Sequence, residues 1–200
     1  LRPLGISVSN LRLDFFPKEK DKIYAKNLFK KLGVKEKDFV VSLSPVSRQP
    51  YKVWPAERFG HVADWLIEKY SAKILFLFGP GEKHFVESVR ALMKMPALPD
   101  YSVPTLTETL SILKRVDLHL GNDNGIRHFA VAADTPSLAI FGRPWAANWT
   151  PPEPTPHHAL EYDPGCKKKC VYPKCKLECL KGVNVEAVKT ELEILINNLN

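Results

Sequence analysis

Four short runs, Phe39–Leu43, Lys73–Phe78, Val116–Leu120 and Ser137–Phe141, set the tightest limit on how this chain can fold, because their residues do not alternate between apolar and polar. A strand with one wet face alternates; a strand covered on both faces does not. Amphipathic helices fall between these runs. Glu19–Leu32 carries Ile23, Leu28 and Leu32 on one side, with Gly33 placed to end it. Pro55 opens a second helix bearing Phe59, Val62, Ala63, Leu66, Ile67 and Tyr70 at helical spacing. A third carries Phe85, Val86, Val89 and Met93. Thr105 and Glu108 form a capping box ahead of Leu106, Leu110 and Leu113. Gly125–Ala133 predicts another helix. A last one, capped by Asn184, presents Val185, Val188, Leu192, Leu195, Ile196 and Leu199. Strands and helices in this alternation, with right-handed crossovers, predict an α/β fold: a Rossmann-like, doubly wound parallel sheet.

The 200 residues, 44% of them hydrophobic, suffice for one core with an appendage and fall short of two full α/β domains. Residues 1–18, broken by Pro3, Gly5 and Pro17, are expected to be a linker or crossing segment. Residues 19–200 form the domain, including a cysteine-rich loop over 163–181 and the C-terminal helix over 184–199. The start lacks Met and a signal-peptide pattern, so a fragment is expected. No apolar run reaches the length of a membrane span, and a cytoplasmic location follows as the expectation. A net charge of +7 suits an anionic partner. Nucleic acid is not expected, because the lysines are scattered, gather only at Lys167–Lys169, and form no basic–aromatic stacking pattern.

In such a sheet ligands bind beyond the carboxyl ends of the strands. Four segments lie there. Ser44–Pro55 brings Ser47, Arg48 and Lys52, a hydroxyl and two cations that could neutralise a diphosphate, although any one of them is equally an ordinary loop residue. Glu82 closes the turn after the second strand, where a carboxylate commonly holds ribose hydroxyls; a first-turn Glu favoured by the helix dipole is the competing reading. Gly121–His128 joins strand to helix: Asp123 or Asn124 can cap, Gly125 lets a ligand approach the backbone, and His128 lies in the first turn. A plain capped turn with a surface histidine accounts for the same residues. Phe141–Pro151 is rich in aromatics and proline, suiting a base, a sugar, or simple edge packing. No G-x-G-x-x-G follows a strand and no P-loop occurs, which counts against dinucleotide oxidoreductases and P-loop NTPases.

All four cysteines, Cys166, Cys170, Cys175 and Cys179, fall within fourteen residues as C-x3-C-x4-C-x3-C, outside the predicted core. Three states fit: a structural zinc bound by four thiolates, disulfides, or free thiols.

Lys52-Val53-Trp54-Pro55-Ala56-Glu57-Arg58-Phe59, then Phe78-Gly79, Thr105-Leu106, Gly121-Asn122-Asp123-Asn124-Gly125-Ile126-Arg127-His128-Phe129-Ala130-Val131-Ala132 and Pro136–Gly142, in this order, resemble the bacterial lipopolysaccharide heptosyltransferases. The likeness covers nearly the whole chain, including Leu1–Ile6 and the cysteine segment. It implies the C-terminal, donor-binding half of a GT-B glycosyltransferase. By position, Asp123, Asn124, Gly125 and His128 would surround a diphosphate, with Lys52 and Ser47 opposite. Glu82 would face the nucleoside, and the loop near Pro104–Leu106, with Thr105, would line the base.

The function the resemblance implies is transfer of a sugar, heptose from ADP-heptose, to a lipopolysaccharide core or other anionic glycan, with inversion and without a metal or other cofactor. No catalytic residue is expected in this chain, because the family's base lies in an N-terminal domain. The whole enzyme would work at the inner face of the inner membrane. Two departures bear on the donor sugar: Asn124 stands where Thr or Ser is usual, and Arg143-Pro144-Trp145 where Pro-Thr is common. Half of a nucleotide-sugar epimerase or hydrolase, or a non-catalytic nucleotide-binding module, are the competing functions.

Overall fold

The computed structural model describes Gly5, Leu13 and residues 15–142, 145–152, 154–166 and 170–199. Most of the expected linker, Arg143-Pro144 and Lys167–Lys169 lie outside the described residues. The elements in order are α1 (Glu19–Lys31), β1 (Val40–Ser44), α2 (Ala56–Tyr70), β2 (Lys73–Phe76), α3 (Lys83–Arg90), α4 (Leu106–Leu113), β3 (Leu118–Asn122), α5 (Gly125–Ala132), β4 (Ser137–Phe141), β5 (His157–Glu161), α6 (Glu178–Gly182) and α7 (Val185–Asn197). The five strands form one sheet in the order β2-β1-β3-β4-β5, and every pairing is parallel.

The two faces of the sheet differ in chemistry. On one, Val41, Leu43, Ile74, Phe76, Leu118, Leu120, Leu138 and Ile140 pack against α2, α3 and α7 in a wholly apolar core. On the other, Val40, Leu75 and Leu77 meet α1, α4 and α5. That second face also carries a polar row. Ser42 is paired with His119, His119 with Ser137, and Ser137 with His157, so the four residues cross four neighbouring strands in register. All four are buried. Ser42 Oγ lies 2.9 Å from His119 Nδ1, and Ser137 Oγ lies 3.0 Å from His157 Nδ1, so both rings are fixed by hydrogen bonds.

Several boundaries follow local chemistry. Thr105 and Glu108 form the expected capping box, and Asn184 accepts a hydrogen bond from Ala187 N at the start of α7. Three expectations need correction. The Pro-rich stretch before the cysteines holds a fifth strand, β5, hydrogen-bonded to β4 at the sheet edge. Helix α1 buries Asp21, Ala25, Leu28 and Phe29, and leaves Ile23 half-exposed on its outer face. Cys179 is buried in α6, not outside the packed interior. Among the described residues no helix is long and apolar enough to cross a membrane.

Candidate functional site

Strand β1 has its sequence neighbour β2 on one side and β3 on the other, so the chain reverses its direction of travel across the sheet between β1 and β3. The loops leaving β1 and β3 therefore diverge, and a crevice opens between them at the carboxyl end of the sheet. A cavity of about 430 Å³ occupies that place. Ser47, Arg48 and Lys52 line it from the β1 loop; Asp123, Asn124 and Gly125 line it from the β3–α5 turn. Glu82 enters from the loop after β2, and Leu106 from the start of α4. Eight sequence-predicted site residues thus meet in one cavity.

The polar end of the cavity is knitted across the crevice. Lys52 Nζ is 2.6 Å from Asp123 Oδ2, and both side chains are largely withdrawn from solvent. Asn124 caps α5: its Oδ1 accepts from Arg127 N at 3.1 Å. Its Nδ2 donates to Ser44 Oγ and Val46 O, each at 2.9 Å. Both amide hydrogens are spent on the protein, so the carboxamide joins the two loops and has no hydrogen left to give a phosphate. The first N–H groups of α5 have no partner in its ladder, an arrangement that suits an anion. A Cβ added at Gly125 would meet nothing within 4 Å, so the cavity reaches the backbone there.

The other end is apolar, formed by Phe78, Pro80, Pro104, Ile126 and Phe129. An apolar lining of this kind suits an aromatic base. Glu82, also in the lining, accepts from Gly79 N through Oε2 at 2.8 Å, which fixes the carboxylate. Arg48 is exposed at the rim.

Two predicted site residues fall outside this cavity. Thr105 spends its hydroxyl on the capping box, donating to Glu108 Oε2 at 2.9 Å, while its neighbours Pro104 and Leu106 line the slot. His128 lines an adjoining cavity of about 600 Å³ with Trp149, Thr150 and several prolines, its ring 5.9 Å from that of Trp149 and edge-on to it. Burial, and next the Arg127 guanidinium, hold its pKa below the ordinary histidine value; Asp123 acts the other way.

Arg127 escaped the sequence reading. It is buried, with its guanidinium over the Phe141 ring. Its Nη1 donates to Trp149 O and its Nη2 to Thr150 Oγ1 at 2.9 Å, so it binds the β4–β5 loop to α5. Asn122 also went unseen: its Oδ1 accepts from Trp54 N at 3.0 Å and holds the end of the Lys52 loop. A buried Arg and a strand-terminal Asn carry no sequence signal of their own.

The cysteines are free thiols in this structure. Among the described residues no group of three or more His, Cys, Asp or Glu side chains is placed to hold a metal ion. Desolvation, then neighbouring cysteines, push the Cys166 thiol above its ordinary pKa; desolvation does the same to Cys179.

The domain is a doubly wound parallel sheet whose switch point holds a helix N-terminus and an apolar lining. Its family is settled by comparison. The family model for glycosyltransferase family 9 (heptosyltransferase) matches residues 5–181, and the chain belongs to that family. It is 28% identical over 165 residues to lipopolysaccharide heptosyltransferase 3 of Escherichia coli K12, covering 74% of this chain and 45% of that protein. A family 9 glycosyl transferase from Veillonella parvula superposes with a TM-score of 0.85 at 24% identity, over 98% of this chain and 57% of that one. The Escherichia coli heptosyltransferase WaaC, solved with ADP-2-deoxy-2-fluoro heptose, superposes with a TM-score of 0.61 at 18% identity, over 96% of this chain and 52% of that one. The fold is the C-terminal half of the GT-B architecture of these enzymes, and the chain spans about half the length of the relatives it matches.

Proposed function

We propose that this chain is the donor-binding half of a glycosyltransferase that takes a sugar, heptose, from an ADP-sugar and delivers it to a lipopolysaccharide core or similar anionic glycan. The observation that carries the reading is the convergence of Lys52, Asp123 and the α5 N-terminus at one end of a cavity whose other end is an apolar slot. A nucleoside diphosphate has that polarity along its own length. The sugar-nucleotide named with WaaC is a ligand of the same class.

In the transfer the bond between the anomeric carbon and the diphosphate breaks, and negative charge grows on the leaving oxygen. Lys52, Arg48 and the α5 N–H groups would meet that charge, so leaving-group stabilisation belongs to this half and needs no metal. Deprotonation of the acceptor hydroxyl belongs elsewhere. Asp123 is held by Lys52 and Glu82 by Gly79 N, and neither is assigned as the base. The base, the acceptor surface and inversion at the anomeric carbon are assigned to an N-terminal domain facing this one. A cytoplasmic enzyme at the inner face of the inner membrane fits such an acceptor.

The test uses the chain with and without that partner domain. ADP-heptose should displace ADP from the 200-residue chain, which alone should transfer nothing to a core acceptor. Addition of the N-terminal domain should restore transfer. Transfer by the isolated chain would end the proposed division of labour, and failure of ADP-heptose to compete with ADP would remove the donor.

A further inference from the structure

The turn that carries Lys52 rests on little of its own. Pro50–Lys52 is a single turn of 3-10 helix with no buried residue. Its support comes from elsewhere in the chain. On one side Gly142, just past β4, approaches so closely that a Cβ there would lie 1.7 Å from Tyr51 O. On the outer side the Tyr172 ring sits edge-on to the Tyr51 ring, with centroids 5.0 Å apart at 60°. Tyr172 lies between Cys170 and Cys175, in the stretch that leads to α6. That stretch is tied down at its far end: Trp54 Nε1 donates to Val183 O at 2.8 Å, and Arg58 Nη1 to Lys181 O at 2.8 Å and Val183 O at 2.6 Å. The cysteine-bearing segment therefore leans on the Lys52 turn from outside while being fastened to the first turn of α2, which follows it in sequence.

We propose that residues 170–183 are the outer support of the Lys52 turn, and that Tyr172, through Tyr51, is a positioning residue that holds the Lys52 ammonium on Asp123 and over the phosphate end of the cavity. This rests on the diphosphate reading of the site. The Tyr172 side of the contact is open to solvent, so its purpose is not core packing: Tyr172 is 37% exposed. An aromatic pair of this geometry is worth enough to bias a short turn between positions. Loss of the ring leaves the turn free to move away from Asp123, and an interaction that depends on position weakens before the fold does. The proposal also gives the clustered cysteines a place in the molecule.

The experiment compares the wild-type chain with Tyr172→Ala, Tyr172→Phe, Tyr51→Ala and the double alanine variant. ADP and AMP affinities come from calorimetry. The 13C-methyl resonance of reductively methylated Lys52, assigned through Lys52→Arg, is read without nucleotide. Tyr172→Ala should lower ADP affinity about threefold to tenfold, narrow the preference for ADP over AMP, and shift the Lys52 resonance, at an unchanged melting temperature. Tyr172→Phe keeps the ring and should behave as wild type. In the Tyr51→Ala background the Tyr172→Ala change should add nothing, because the two act as one contact. A Tyr172→Ala chain with wild-type affinity and an unmoved Lys52 resonance overturns the proposal, as do additive effects of the two alanines. If the wild-type chain binds no ADP, the nucleotide reading fails, and the resonance alone still decides whether Tyr172 positions Lys52.

Discussion

Each polar residue of the cavity is ordinary in sequence and specific only in its company. Lys52 and Asp123 stand 71 positions apart in the chain and meet at 2.6 Å. Lys52→Ala would remove a cation from the phosphate and leave Asp123 without its partner in a largely buried place. Loss of a charge-assisted hydrogen bond should weaken ADP binding by about 1.5–3 kcal/mol, which a titration of the variant would read directly. His128 separates function from packing more sharply. Its ring is half-buried beside Trp149, in the cavity next to the one that holds the predicted phosphate site. If His128 serves the diphosphate from this neighbouring cavity, His128→Ala weakens nucleotide binding and leaves stability within about 0.5 kcal/mol, checked by a denaturation curve and a titration on the same variant. A large loss of stability at unchanged affinity would make His128 a structural residue. Asn124 shows where sequence stops. Its carboxamide could equally have faced a phosphate, but in the fold both hydrogens go to Ser44 and Val46.

At the level of elements, periodicity was a good guide where burial is complete and a poor one at edges. The four unalternating strands and the capped helices α4 and α7 were legible, because local signals and burial agree. Strand β5 was hidden by its composition. It follows Thr155-Pro156, starts with two histidines, and pairs on one side only, so neither an apolar run nor alternation marks it. Ile23 misled for the opposite reason: it has the spacing of a core residue, yet Asp21, Ala25, Leu28 and Phe29 define the buried face of α1.

The polar row across the second sheet face leads to a pH dependence. Burial, then Arg127, lowers the pKa of His119 to about 3 and that of His157 to about 4, against an ordinary 6.5. Both groups charge more readily in the unfolded chain. Their contribution to stability is therefore full above about pH 6.5 and is lost as pH falls toward their folded values. Each histidine should cost about 2 kcal/mol of stability by pH 5. Urea denaturation at pH 7.5 and pH 5 should show the loss, and His119→Gln with His157→Gln should flatten it. An equal slope in the variant would place the acid sensitivity elsewhere. Gly142→Ala belongs to this scale as well. Its methyl would strike Tyr51 O, and moving that backbone should cost about 1–3 kcal/mol in a denaturation curve.

For the whole molecule, net charge was weak evidence, whereas the topological switch point was strong. A charge of +7 describes a lysine-rich surface and names no partner. The order β2-β1-β3-β4-β5, by contrast, decides where the crevice must be, and the cavity with its polar and apolar lining lies there. The central claim is that this crevice binds a nucleoside diphosphate through its two phosphates and its base together. Calorimetric titration of the chain with ADP and with AMP, repeated on Lys52→Ala, tests it most directly. ADP should bind more tightly than AMP, and Lys52→Ala should remove most of that difference. Equal affinities for the two nucleotides, or no binding of either, would contradict the account.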